Sequence, residues 1–404
     1  MPHVNEALAQ TPPAVPDIES AYRPTHDERA RQGFVSMIRK HSIMDMREAL
    51  HADYVGRVEP ELTRKGTPPR DWRAIEKAME TQASFRFYSA VRYNAQEMCY
   101  HSVQDPIERA LPDMIDTARR AARLRPAGGT LRIADDFEVP RYVSSYDVHL
   151  APGCFHSEYT PDDVAQGALV TLGGKVFGKS VPARRNEGAV AQSVSHWLKH
   201  GRPDFEPGRI LDMGTAGGRN LIPYLDIYPD AEAHGIDVGA PQLRYGHARA
   251  EHLGRAVHFS QQNAERTDFP DGHFDLIVSS FFFHEVTLKA TRAILAECRR
   301  LLAPGGMIVH MELPPEGMVS DYDNFFWNWD TANNNEPTYT LYRAQDPVRL
   351  CVEAGFDPGD CFSLHIPDYE TVGPDRFAAF VRGEEDAPPH GRGGWYVFGS
   401  RKRG

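Results

Sequence analysis

Cysteine is scarce in this chain. Five residues in 404, at Cys99, Cys154, Cys298, Cys351 and Cys361, make an odd number with no C-x-x-C pair. That spacing excludes a disulfide framework and a cysteine zinc site, and it points to free thiols in a reducing cytoplasm. Long hydrophobic runs are missing too: none approaches the roughly 18 apolar residues that a membrane span needs. Residues 1–24 are polar and proline-rich, lacking the charged and apolar regions of a signal peptide. Positive charge is in deficit, with 45 Lys and Arg against 56 Asp and Glu and a formal net charge of -11. A general nucleic-acid binder needs a basic face to displace phosphate counterions, so the balance argues against one. The length suffices for two or three domains with independent cores.

Several regions differ in pattern. Residues 1–24 read as a disordered tail, since five prolines and few large apolar groups cannot bury a core. Thr25-His-Asp-Glu28 has the form of a capping box and predicts the first helix. Helical periodicity then runs to about Arg125, with Trp72, Ile75 and Met79 on one face and Tyr88, Val91, Ala95 and Met98 on another. Asp105-Pro106 predicts a fresh helix start. Extended runs at 130–133 and 141–143 predict a small sheet or a bridge, so 25–150 is expected to be a mainly helical domain with short strands. Connecting helices fill 151–200, one opening at Thr160-Pro161 and closing at Gly173-Gly174. The helical stripes serve a core or a second copy equally well, which leaves a homodimer open.

From 201 to 404 short apolar runs alternate with helical segments, the pattern of a doubly wound α/β sheet. Strands are predicted at 209–213, 233–238, 257–261, 274–279, 307–311, 361–365 and 395–399. Helices are predicted between most of them, but none between the last two, and a short connection favours antiparallel pairing. The first strand ends in Asp212-Met-Gly-Thr-Ala-Gly-Gly-Arg219, an acid running into a glycine-rich turn. Such a turn holds a nucleotide-like ligand at the carboxyl edge of a parallel sheet. A dinucleotide fingerprint, G-x-G-x-x-G counted from Gly214, fails at Ala216 and at Arg219. That opposes a nucleotide-dependent oxidoreductase.

The spacing that fits is acid-x-Gly-x-small-x-Gly on Asp212, Gly214, Ala216 and Gly218. It resembles the first motif of the class I S-adenosylmethionine (SAM)-dependent methyltransferases. Asp237 closes the second strand, Gln262-Asn263-Ala264 follows the third, and Phe269 to Val278 with Leu302-Ala-Pro-Gly-Gly306 is similar to the same family's later motifs. Ala216 stands for a usual glycine and Asn263 for a usual aspartate. The resemblance covers about residues 190–404. It implies a seven-stranded sheet with the last strand antiparallel, beside the mainly helical amino-terminal domain. It also implies SAM as cofactor, held by Asp212, Gly214, Thr215, Ala216, Gly218, Asn220, Asp237, Val238, Asn263, Ala264 and Ser280. Asp237 would take the ribose hydroxyls and Asn263 the adenine amino group.

Methyl transfer is an in-line displacement, so the protein chiefly positions and desolvates the acceptor. An acceptor hydroxyl or amine also needs a base. His284 is the candidate, since a free imidazole titrates near neutrality, with Glu312 as a second catalytic candidate. A substrate-lid insertion is expected at about 313–345, rich in aromatic residues from Tyr322 to Tyr342. Phe282, Glu285, Tyr322, Trp327, Tyr339 and Arg343 are the expected substrate contacts. His156 and Glu158 lack the companions of a metal site, so no metal is expected. The function expected is methylation of an O, N or S atom of a small molecule. Protein or RNA methylation, or a SAM sensor without catalysis, are the alternatives.

Overall fold

The structure is a computed structural model that describes residues 15–66, 71–178 and 188–403. Eight strands form one sheet: β1 Thr130–Arg132, β2 Arg209–Met213, β3 Glu232–Asp237, β4 Val257–Gln261, β5 Phe274–Ser280, β6 Leu302–Glu312, β7 Cys361–Pro367 and β8 Gly394–Arg401. Their spatial order is β1-β4-β3-β2-β5-β6-β8-β7. Strands β1 to β6 pair in parallel, and β8 lies antiparallel between β6 and β7. The chain winds outward from β2 through β3 and β4, then returns to place β5 on the other flank of β2. At that reversal the connections leave in opposite directions and open a crevice at the strand ends. Gly214 sits there.

The strands read as apolar runs because helices cover both faces of the sheet. Ile210 and Leu276 point into one core with Val194, Leu198 and Leu225, while Leu211 and Ile277 point into the other with Ile294, Leu295 and Leu301. All four strand residues are fully buried.

The capping box forms: the Glu28 amide donates to Thr25 Oγ1, and Glu28 reaches back to the Thr25 amide. Order begins before it, since Val15 and Ile18 are buried against the helices that follow; residues 1–14 of the expected tail lie outside the described residues. No helix starts at Pro106. One helix, Ala83–Leu124, runs through both Pro106 and Pro112. Each proline forfeits a backbone hydrogen bond, but Tyr100, Val103, Ile107, Ala110 and Met114 keep one buried face continuous across them, and packing decides. Gly173-Gly174 likewise does not end a helix; Ala165–Gly178 continues through it. A Cβ at Gly173 would lie 2.8 Å from the Tyr100 ring, so this glycine serves the close crossing of two helices.

Three further expectations are corrected. The run at 130–133 forms no separate sheet: β1 pairs with β4 and makes an eighth strand of the main one. Residues 141–143 lie in a short helix, Arg141–Ser144. A helix, Tyr369–Val381, does join β7 to β8. It packs on helix Ala189–Gly201 through Tyr369 stacked on His196 at 3.7 Å, and so leaves the antiparallel pairing intact. Pro304-Gly305-Gly306 falls inside the irregular start of β6, where Gly305 takes φ +84°.

The insertion folds into two helices, Asp321–Asn333 and Tyr339–Arg343. Tyr322, Phe325, Phe326 and Trp329 pack with Tyr54, Ile75, Met79, Phe85 and Tyr88 of the amino-terminal helices. Arg92, almost wholly buried, pairs with Asp330 across the junction. The aromatic richness of this segment is thus largely spent on joining it to the amino-terminal region. Among the described residues, no helix is long and apolar enough to cross a membrane.

Candidate functional site

Two clefts meet at Gly214. The wider is lined by Asp212, Gly214 to Gly217, Arg219, Asn220, Arg249, Ser280, Phe281 and Trp395, with Val170, Thr171 and 188–190 opposite. The narrower is lined by Asp237, Val238, Gln262, Asn263, Ala264, Phe282, Val286 and Ile294, with Tyr142 and Val143 closing it. The structure therefore gathers Asp212, Gly214, Thr215, Ala216, Asn220 and Ser280 around one cleft, and Asp237, Val238, Asn263 and Ala264 around the other. Gly218 lines neither. It takes φ +71°, and a Cβ there would meet the Phe259 ring at 2.7 Å, so it shapes the turn from behind. Phe282, expected on the substrate side, instead covers Gly214, where a Cβ would strike its ring at 2.4 Å.

The floor is acidic. Asp212 is buried and accepts from Thr215 Oγ1 at 2.8 Å; its next charged neighbour is a second carboxylate, Asp237. Burial, reinforced by Asp237, raises the Asp212 carboxyl to about 7 against the Thr215 hydrogen bond. Asp237 accepts from the amides of Ala216 at 2.9 Å and Gly239 at 2.8 Å. Burial raises its pKa as well, opposed by those amides. A lone pair on each oxygen stays available beyond these bonds.

At the ends of β5 and β6 lies a second charged group. His284 Nδ1 pairs with Glu312 Oε2 at 2.7 Å, and Glu312 Oε1 also accepts the Phe283 amide at 2.6 Å. Both side chains are buried. Behind them His149 bridges Glu285 at 2.9 Å and Glu336 at 3.0 Å. Burial works against charge on His284, yet Glu312, followed by Glu285 and Glu336, overcomes it and holds the ring at about 9. His149 is treated alike: burial opposes its charge, and Glu336 and Glu285 raise its pKa well above the usual range. The near-neutral titration expected of His284 is therefore corrected, because the ring sits in an ion pair as an imidazolium at pH 7.

The remaining expected substrate contacts divide. Tyr339 meets the His284 ring edge-on at 5.4 Å. Glu285 belongs to the His149 bridge. Arg343 is buried and spends its guanidinium on Pro314 O, Asn328 Oδ1 and Asn324 Oδ1, with Trp327 stacked 4.8 Å from it. Tyr322 lies against Tyr54 and His51 in the aromatic cap, away from both clefts. Sequence reasoning missed Tyr142, whose hydroxyl donates to Glu265 Oε1 at 2.8 Å, as well as His149, Glu336 and Trp395. Each reaches the site through tertiary packing from a distant segment. Backbone strain marks one of these segments: His149, Leu150, Cys154 and Phe155 all hold positive φ. Among the described residues no group of three or more His, Cys, Asp or Glu is arranged to hold a metal.

A ligand with a cationic end and a hydroxylated end fits this site. The glycine turn gives close backbone access, Asp212 gains a compensating charge, Asp237 keeps lone pairs for hydroxyls, and Val238, Ala264, Phe282 and Ile294 offer an apolar slot.

Comparison with known proteins agrees. Residues 210–306 match a family model described as a methyltransferase domain. A demethylmenaquinone methyltransferase of Thermus thermophilus is 37% identical over 109 residues, covering 27% of this chain and 49% of that protein. A ubiquinone/menaquinone biosynthesis C-methyltransferase of Cupriavidus necator is 37% identical over 152 residues, covering 34% of this chain and 61% of that protein. The chain thus spans about half to three-fifths of the length of these relatives. A solved Haemonchus contortus phosphoethanolamine N-methyltransferase aligns over 54% of each chain at 16% identity and a TM-score of 0.39, too loose a likeness to bear on function. The matched residues form a class I SAM-dependent methyltransferase domain.

Proposed function

We propose that this protein transfers the methyl group of SAM to a small-molecule acceptor seated beside Phe281 and Trp395. The observation that carries this reading is the pair of carboxylates at the glycine turn, Asp212 buried and Asp237 half-buried, with Asp237 accepting the Ala216 amide of the turn itself. When bound, SAM supplies an electrophilic methyl group on a sulfonium. Asp212 faces its cationic amino-acid end across the wider cleft. Asp237 accepts the ribose hydroxyls on its free lone pairs. Asn263 Oδ1, which already accepts the Glu265 amide at 2.9 Å, has a second lone pair for the adenine amino group.

On the acceptor side Phe281 and Trp395 supply apolar walls that exclude water, which strengthens the field of fixed charges around the reacting atoms. The His284–Glu312 ion pair orients the loop carrying Phe281 and Phe282. A proton-accepting role would require the ring to be deprotonated first. The two roles separate by pH: turnover should hold through neutrality and decline above about 9 if the imidazolium positions the loop. A rise through that range would make His284 the base.

The test is direct. Calorimetry should show binding of SAM and of S-adenosylhomocysteine, and none of NAD; the reverse result would overturn the proposal. A screen with methyl-labelled SAM against amines, phenols, thiols, carboxylates and quinols would then identify the acceptor atom. Oxygen, nitrogen and sulfur are the acceptor atoms expected, and the relatives named as C-methyltransferases add carbon.

A further inference from the structure

One turn behind the narrower cleft is held under strain. Of the nine non-glycine residues with positive φ among the described residues, four fall within 149–155: His149 and Leu150 at +58°, Cys154 at +44° and Phe155 at +64°. A Cβ resists this region, and bulky side chains resist it most. Such a turn persists only where its surroundings hold it. Asp147 Oδ1 accepts the Gly153 amide at 3.1 Å, Asn335 donates to Asp147 O at 2.9 Å, and Gln96 donates to His149 O at 3.1 Å. The charged hold is the His149 ring. Its Nε2 shares a hydrogen bond of 2.9 Å with Glu285 Oε1, and its Nδ1 lies 3.0 Å from Glu336 Oε1. The ring thus joins two carboxylates that belong to different segments.

Glu285 ends the short turn Phe283–Glu285 after β5, next to the Phe282 ring that covers Gly214. Glu336 lies in the insertion, between helices Asp321–Asn333 and Tyr339–Arg343. The strained turn itself reaches the site twice. Cys154 Sγ donates to Val143 O at 3.0 Å, and Val143 with Tyr142 closes the narrower cleft across from Asp237 and Asn263. Phe155 O abuts Gly239, where a Cβ would lie 2.7 Å from it, and the Gly239 amide is one that Asp237 accepts. His149 lines neither cleft. Its reach to a ligand is through the wall.

We propose that His149 is a positioning residue for the bound cofactor: its bridge between Glu285 and Glu336 latches the strained turn 149–155 and keeps Tyr142 and Val143 closed over the narrower cleft. The inference rests on the SAM reading above. With the bridge broken, the strain in the turn is opposed by neutral hydrogen bonds alone. The turn relaxes toward negative φ, Cys154 draws Val143 away from the cleft, and the ligand's way out opens. A ligand lying between Asp237, Asn263 and this wall leaves only when the wall moves. The latch therefore sets how long the cofactor stays, and it does so without touching it. Entry uses the same opening, so release should change by more than affinity does.

The test loads full-length protein with methyl-labelled SAM, mixes it with excess S-adenosylhomocysteine and follows the loss of bound label. His149→Gln should release SAM about tenfold or more faster than wild type, the factor expected for losing a charged hydrogen bond. Glu336→Gln should act in the same direction by less, since the Glu285 arm remains. The double variant should match His149→Gln, because both changes break one bridge. Only loaded, folded molecules carry label, so poor folding of a variant leaves its release rate readable. Arg141 is exposed and adjoins Tyr142, so tryptic cleavage after it reports the wall: SAM should slow that cut strongly in wild type and weakly in His149→Gln. A merely structural role would lower the melting temperature and leave the release rate alone. Wild-type release from both single variants, or a double variant clearly faster than His149→Gln, would overturn the latch alone. Failure of wild type to bind SAM would overturn the cofactor reading and the latch with it.

Discussion

Two carboxylate-rich patches lie along the same edge of the sheet and are balanced in opposite ways. Beside β2 and β3, Asp212 and Asp237 have hydroxyl and amide donors around them, and burial raises both, with the charge of Asp237 adding to it at Asp212 and that of Glu285 at Asp237. Beside β5 and β6, Glu285, Glu312 and Glu336 enclose two imidazoles and hold them charged. Strand β6 shows how local the balance is. Glu312 pairs with a histidine held at about 9, while two residues earlier His310 has the Ser279 hydroxyl at 2.8 Å and burial lowers it to about 3. In the second patch every imidazole and carboxylate has an ionic partner within the chain itself. In the first the carboxylates have hydroxyl and amide donors as partners, and a ligand's positive charge would compensate them further.

The sharpest way to break this contrast is to unbalance the ion-paired patch. Glu312→Ala would strand a buried imidazolium and remove the acceptor for the Phe283 amide. Losing one partner of a buried pair costs about 3–5 kcal/mol, and urea unfolding should show a loss of that order. His284 supplies stability that is full below its ordinary range and fades as pH rises through about 9; the variant should lose that dependence. A cost under about 1 kcal/mol would mean that the pair is not holding the loop.

The aspartate patch should respond in binding before stability. Asp237→Ala removes the acceptor proposed for the ribose hydroxyls and frees the Ala216 and Gly239 amides. Hydrogen bonds to a charged group are worth about 1.5–3 kcal/mol, so SAM affinity should fall by about tenfold to a hundredfold. Calorimetry on a variant with wild-type circular dichroism reads this directly. Unchanged affinity would remove Asp237 from the ribose.

The two patches also differ in how well the sequence announces them. Asp212, Gly214, Asp237 and Asn263 are legible because buried parallel strands read as apolar runs, and the acid or glycine that ends each run falls at a fixed place on the sheet edge. The histidine patch is not legible as a unit. His284 and Glu312 stand out at their strand ends, but His149 and Glu336 arrive from an irregular loop and from the insertion, with no periodicity to join them. The same cause hid β1, whose three residues pair with a strand more than a hundred positions later. Local rules misled where packing overrode them, as at Pro106 and Gly173. The aromatic run from Tyr322 to Trp329 carried no mark to tell a pocket wall from a buried joint.

A gentler probe acts through protonation. Asp212 titrates near 7 when folded, above the 3.8 of an ordinary aspartate. A raised pKa means that its contribution to stability is full below about 4 and is lost as pH rises through about 7. Asp212→Asn keeps the shape and an acceptor for Thr215 while deleting the charge. The ligand-free variant should lose less stability than wild type between about pH 5 and pH 8, seen as a smaller drop in melting temperature. Wild type should also bind SAM more tightly as pH rises through 7, and the variant should not. Parallel curves for the two proteins would mean that Asp212 is not the unbalanced group.

The smallest expected effect lies where the amino-terminal region touches the aspartate patch. Tyr142 closes the narrower cleft, and its hydroxyl is held by Glu265 at 2.8 Å. Tyr142→Phe keeps the ring and removes one hydrogen bond, worth about 1 kcal/mol, so SAM affinity should weaken by about fivefold with little change in melting temperature. Tyr142→Ala removes the wall as well and should weaken it further. If both variants bound SAM as wild type does, the amino-terminal region would have no part in holding the cofactor, and the patch would be complete within the sheet domain alone.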